Sequence, residues 1–97
     1  MIKHIVAWRL NDKNDKVADA ARIKELLEGL RGQIPGLMHI EVGMNVVTDA
    51  NAADVVLYSE FTDLEALKIY QAHPLHQAVV PQIKALTTER RSVDYEI

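Results

Sequence analysis

The chain has 97 residues, of which 48% are hydrophobic, 26% charged and none cysteine; this describes a single domain, residues 1–97, with its own core and no cross-links. Surface scaling gives roughly 15,800 Å² for the unfolded chain and roughly 5,600 Å² folded, so about two-thirds of the area is buried and no staple is needed. Eleven Lys and Arg against 14 Asp and Glu leave a net charge of −3, the wrong sign for binding nucleic acid by counterion release.

No apolar run exceeds four residues, far below the roughly 18 to 20 of a membrane span or the roughly 7 to 15 of a signal-peptide core. The expectation is a cytoplasmic protein with no membrane partner. The lack of cysteine removes disulfides, thiolate nucleophiles and Cys-based zinc sites. Aromatics are scarce, only Trp8, Tyr58, Phe61, Tyr70 and Tyr95, so Val, Ile, Leu, Ala and Met must make most of the core.

Residues 2–10 alternate, with Ile2, His4, Val6, Trp8 and Leu10 on one face and Lys3, Ile5, Ala7 and Arg9 on the other, the period of a first strand. Asn14 or Asp15 is placed to cap a helix from about residue 15 to 32, where Ala20, Ile23, Leu27, Leu30 and Ile34 form one stripe until Pro35 and Gly36 stop it. From Leu37 the period becomes two, with Met38, Ile40, Val42, Met44 and Val46 opposed to His39, Glu41, Gly43 and Asn45. A third strand, 54–61, sets Val55, Leu57, Ser59 and Phe61 against Asp54, Val56, Tyr58 and Glu60. Thr62 or Asp63 caps a second helical region, and Pro74 opens a further helical turn in which His76, Val79, Val80 and Ile83 recur at helical spacing. Pro81 should kink or split that run, and residues 90–96 form the last strand.

The order β-α-β-β-α-β is the split arrangement of ferredoxin-like α+β folds, a four-stranded antiparallel sheet with helices on one face. The other face carries Ile5, Ala7, Gly43, Val56 and Tyr58 with no helix to cover them. A bare apolar face predicts a partner, and two copies packed sheet to sheet as an isologous homodimer are the simplest closure.

Tyr70, His73 and His76 fall within seven residues at a helix break. Imidazole is a base near neutral pH, and a tyrosine hydroxyl can donate to a carbonyl whose neighbouring carbon loses a proton. His76 leads an apolar stripe and should point toward the sheet, where His4 approaches the same space. The structural alternative makes His73 a cap on Pro74, Tyr70 a core ring and His76 a buried histidine bonded to a carbonyl; spacing alone favours it, because buried histidines are often structural. A metal shared by His73 and His76 lacks a third ligand at suitable spacing. His39, beside Glu41 or Glu60, is open to a dimer contact or a cation, though a solvated position is the simpler reading. No phosphate-binding glycine loop and no RNA-recognition motif is present.

Taken together, K-H-I-V (Lys3 to Val6), I-P-G-L (Ile34 to Leu37), E-V-G-M-N (Glu41 to Asn45), E-F-T-D (Glu60 to Asp63), Y-x-x-H-P-x-H (Tyr70 to His76) and V-D-Y-E (Val93 to Glu96) resemble the Dabb family of stress-responsive A/B-barrel proteins, within the dimeric α+β barrels. The resemblance spans almost the whole chain and implies a homodimer with facing sheets and outer helices. The family's best-understood enzyme type, a plant polyketide cyclase, closes a poly-β-ketone by aldol condensation without a cofactor. By resemblance its base falls on His76, its positioning tyrosine on Tyr70 and its strand-one histidine on His4. The resemblance also puts Trp8 where that enzyme has a smaller aliphatic, and Ile23, Lys24 and Leu27 where it has aromatics, which implies a smaller substrate or only a bound ligand. The implied pocket, between sheet and helices, is lined by His4, Val6, Trp8, Ile23, Leu27, Ile40, His73 and Val79 and takes a small apolar or β-keto compound. The alternative is a non-catalytic, stress-associated dimer or ligand-binding protein.

Overall fold

A computed structural model describes residues 1–97. The elements run β1 (Ile2–Leu10), α1 (Lys16–Glu28), β2 (Leu37–Met44), β3 (Val55–Phe61), α2 (Leu64–Ala72), α3 (Pro74–Leu86) and β4 (Thr87–Glu96). All pairings are antiparallel, in the order β2-β3-β1-β4. β1 and β3 lie at the centre because each helical segment carries the chain across the sheet, which is the ferredoxin-like arrangement the periodicities predict. One core of 19 buried hydrophobic residues packs between the sheet and the helices.

β1 alternates as its sequence does, with Ile2, His4, Val6, Trp8 and Leu10 buried and the intervening residues half-buried on the outer face. Asp15 is the cap of α1; its carboxylate accepts from the backbone N–H of Val17 at 3.0 Å and of Ala18 at 3.2 Å. The helix ends at Glu28, earlier than the stripe predicts. Leu30 and Ile34 stay buried, but they are carried by successive turns closed by Arg31 N–H to Glu28 and Gln33 N–H to Leu30. Gly32 and Gly36 take φ of 76° and 82° there, a region L side chains avoid.

The strict alternation expected for β2 is interrupted. Leu37 faces Phe61 while His39 already faces Glu60, so Met38 is the extra residue of a bulge and is turned out, 60% exposed. Ile40 and Val42 are buried as expected, whereas Met44 and Val46 are exposed where the strand runs out. Asp63 caps α2, accepting from the Ala66 N–H at 2.8 Å.

Two expectations near the C-terminus are corrected. α3 runs unbroken through Pro81; the missing N–H frees the Gln77 carbonyl, but residue 81 is exposed, so water can satisfy that oxygen and the helix is not split. β4 starts at Thr87, three residues before the expected position, because the helix passes directly into the strand and Thr87 pairs with Leu10 across a register shift.

Gly36 combines two demands. Besides its positive φ, a Cβ there would lie 2.5 Å from the Ala66 Cβ on α2, whereas a Cβ on Gly32 would meet open space. Gly36→Ala is expected to lower stability by about 2 to 4 kcal/mol through left-handed strain plus overpacking, and Gly32→Ala by only about 1 kcal/mol. Urea unfolding of the two variants checks the ordering, and equal losses would refute the close-packing argument.

Candidate functional site

His73 precedes a proline and is therefore driven out of the helical region, to φ −65° and ψ 136°. It ends α2 and begins α3. Its Nδ1 accepts the N–H of Leu75 at 3.1 Å, the donor that a continuous helix would have sent to the Gln71 carbonyl. That carbonyl is left for side chains of the next turn. His76 Nδ1 approaches it at 3.2 Å and the Gln77 amide donates to it at 2.7 Å. Since a carbonyl oxygen only accepts, His76 carries its proton on Nδ1 and leaves Nε2 with a free lone pair.

The same break sets His76 against Tyr70, with ring centroids 4.4 Å apart. Tyr70 is fully buried, 4.9 Å from the Phe61 ring and 6.2 Å from His4. Its hydroxyl has no hydrogen-bond partner in the protein, and burial pushes its pKa well above the ordinary tyrosine value, so it remains a neutral donor. Half-buried His76 is shifted the other way. Burial lowers its pKa, the Gln71 carbonyl opposes this, and the neighbouring His4 and Arg90 lower it further. His4 is buried at 4% exposure, and its Nδ1 is bonded to the Asp94 carboxylate on β4, which orients the ring.

A cavity of about 490 Å³ lies between the sheet and the helices, within the usual size of small-molecule sites. His4, Val6 and Trp8 of β1, Leu27 of α1, Tyr70 of α2 and His76 of α3 all line it. Four other residues named from the sequence do not. Ile23 and Ile40 are packed in the core away from the cavity, Val79 is buried on α3 without reaching it, and His73 is spent on capping. Lys24 also points away, its ammonium bonded to Glu28 at 2.7 Å and to the Val42 carbonyl at 2.9 Å.

Six lining residues were not anticipated: Leu57, Gln77, Val80, Ile83, Lys84 and Arg90. Of those on α3, Val80, Ile83 and Lys84 follow His76 at spacings of four, seven and eight and so share its face, a signal the sequence did contain, while Gln77 is its immediate neighbour. Arg90 required the register of β4, which places it opposite Trp8 on the helix-facing side. His39 lies on the outer face and bonds Glu41 at 2.6 Å; no group of three or more His, Cys, Asp or Glu is placed to share a metal ion. No helix is long and apolar enough to cross a membrane.

Comparison with known proteins agrees with this architecture. A family model for the stress responsive A/B barrel domain, Dabb, matches residues 2–97. The uncharacterized protein SCO4036 of Streptomyces coelicolor is 37% identical over 83 residues, covering 82% of this chain and 84% of that protein. The stress-response A/B barrel domain-containing protein DABB1 of Arabidopsis thaliana is 25% identical over 100 residues, and the match covers 98% of this chain but 46% of DABB1. Among solved structures, a dimeric protein of ferredoxin-like fold from Bacteroides fragilis is similar with a TM-score of 0.86 and 34% identity, covering 99% of this chain and 95% of that one. The chain therefore belongs to the Dabb family, the stress-responsive A/B-barrel domain proteins.

Proposed function

We propose that this protein is a homodimer whose cavity binds a small enolisable carbonyl compound and removes a proton from the carbon beside the carbonyl, without a cofactor. The observation that carries the reading is the pairing of an unpartnered buried Tyr70 hydroxyl with a His76 held in the Nδ1–H tautomer, side by side in one cavity. A buried donor left without a partner costs about 1 to 3 kcal/mol, and a ligand carbonyl reaching Tyr70 removes that penalty. In the reaction Nε2 of His76 accepts the proton, and the enolate oxygen keeps the hydrogen bond from Tyr70, which strengthens as negative charge develops. Returning the proton to the carbon, or attack of the enolate on a second carbonyl of the same molecule with the His76 proton passing to the alkoxide so formed, completes a turnover. The large Trp8 ring in the cavity wall reduces the space for a long tail, which favours compact substrates.

The dimer rests on the outer sheet face. Ile5, Ala7 and Tyr58 are half-exposed there, and Val56, Val93 and Tyr95 are 37%, 52% and 43% exposed. At one end Lys3 donates to the Tyr58 hydroxyl at 2.8 Å and pairs with Glu60, giving the apolar centre a charged rim. The similar Bacteroides fragilis protein is dimeric, which supports a homodimer here.

The base is tested by following deuterium uptake at C2 of methyl 3-oxohexanoate in heavy water by NMR. His76→Ala is expected to lose about 10² to 10⁴ of the enzymatic rate. Tyr70→Phe should lose about 10² to 10³ while keeping stability, since the lost hydroxyl has no partner in the fold. Unchanged exchange in His76→Ala overturns the catalytic reading and leaves a ligand-binding barrel. The pH profile of the wild-type rate should rise through a midpoint below the ordinary histidine value of about 6.5, because His76 is a base only when neutral and its pKa is lowered; a midpoint above that value contradicts the assignment. Sedimentation should give twice the 10.9 kDa chain mass at micromolar concentration, and Val56→Asp should shift the equilibrium toward monomer. A wild-type monomer under those conditions refutes the assembly.

A further inference from the structure

The inner face of β4 breaks the pattern of the other strands. Its register sets Arg90 opposite Trp8, Ser92 opposite Val6 and Asp94 opposite His4, so an edge strand that faces the helices presents polar side chains throughout, where the inner faces of β1 and β3 are apolar except for His4 and Ser59. Asp94 is engaged by His4. Arg90 is not engaged: it lines the cavity, is exposed, and belongs to no ion pair. Lys84, in the last turn of α3, lines the same cavity, is likewise exposed and belongs to no ion pair either.

A lysine in the last turn of a helix is ordinary, since it complements the negative end of the dipole. Arginine on the helix-facing side of a strand has no such explanation. The charge balance adds to this. The chain as a whole has a net charge of −3, yet the cavity is lined by two cations and by no carboxylate. An unpaired arginine and lysine lining one largely apolar cavity supply the donors a planar anion needs, which a guanidinium holds with two parallel hydrogen bonds.

We infer that the ligand of this cavity is a carboxylate-bearing carbonyl compound, its carboxylate held by Arg90 and Lys84 and its ketone directed inward to Tyr70 and His76. This rests on the reading of the cavity as a carbonyl site and adds the chemical class and the orientation of the ligand. The two ends of the molecule meet different surroundings, a charged group near solvent and a carbonyl at a buried donor. Such a two-point hold fixes which carbon faces Nε2 of His76. It also sets a specificity: neutral ketones fit the interior but forgo the outer contacts.

Calorimetric titration tests this with 3-oxohexanoate and its methyl ester, against the wild type, Arg90→Gln, Lys84→Gln and the double variant, above the histidine range so that imidazole charge does not contribute. Both substitutions fall at exposed positions, and unchanged circular dichroism and melting temperature verify the fold. The wild type is expected to bind the anion at least about tenfold more tightly than the ester, as charge-assisted bonds imply. The double variant should lose that preference while binding the ester as before, and raising the salt concentration should weaken only the anion. If the wild type binds acid and ester equally, or if the double variant keeps the preference, the carboxylate anchor is refuted while the carbonyl site stands on the ester's binding. If neither compound binds the wild type, both readings fall together.

Discussion

The geometry of the site depends on the His73–Pro74 junction. Proline excludes the helical conformation at the residue before it, so α2 must stop and α3 must start again one residue later. The imidazole of His73 takes the Leu75 N–H, and the Gln71 carbonyl that would have received it is left for His76 and Gln77. The tautomer of His76, and hence the free lone pair on Nε2, therefore follows from a backbone constraint two residues upstream. The same break turns the chain so that the His76 ring comes to rest 4.4 Å from that of Tyr70.

The sheet then divides the molecule into two functional sides. Alternation along β1 sends His4 and Trp8 toward the helices and Ile5 and Ala7 away from them, and a slip of one residue would exchange the two sets. β1 lies between β3 and β4, so one strand supplies both the floor of the cavity and part of the proposed dimer face. β4 reverses the usual sense, with polar residues toward the helices and Val93 and Tyr95 on the outer face. That reversal suits an edge strand exposed along nearly its whole length, because the helices do not extend over it to bury apolar side chains there. The cavity lies along this uncovered margin, which is how charged groups come to line a space that is otherwise built from core residues.

Much of this was legible in the sequence because it is local. The alternation of residues 2–10, the stripe of Ala20, Ile23 and Leu27, the aspartate caps and the proline after His73 each act over a few residues, and each produces the element it predicts. The departures arise where a neighbour intervenes. Met38 is expelled by a bulge that only pairing with β3 creates. Leu30 and Ile34 keep the burial that a helical stripe predicts while the helix itself ends at Glu28, since burial is rewarded by the core and not by the conformation that delivers it. Pro81 leaves α3 intact because it and Gln77, whose carbonyl it frees, are both exposed and within reach of water. The resemblance implies Ile23, Ile40 and Val79 as pocket walls, but a resemblance carries over positions on a face and cannot tell a packed position on that face from one beside a gap.

The amino-acid sequence by itself determined the element order, the inward and outward faces of the first strand, the helix break and the chemical types gathered around it. Those properties depend on backbone stereochemistry and on side-chain period, which act between residues close in the chain. Only the tertiary structure decided that Tyr70 would be buried without a partner, that Asp94, 90 residues from His4 along the chain, would orient its ring, and that Arg90 and Lys84 would join the cavity. Each of these depends on strand register and on where the helices cease to cover the sheet. They are long-range packing outcomes, fixed when the core closes and carried by no short stretch of sequence.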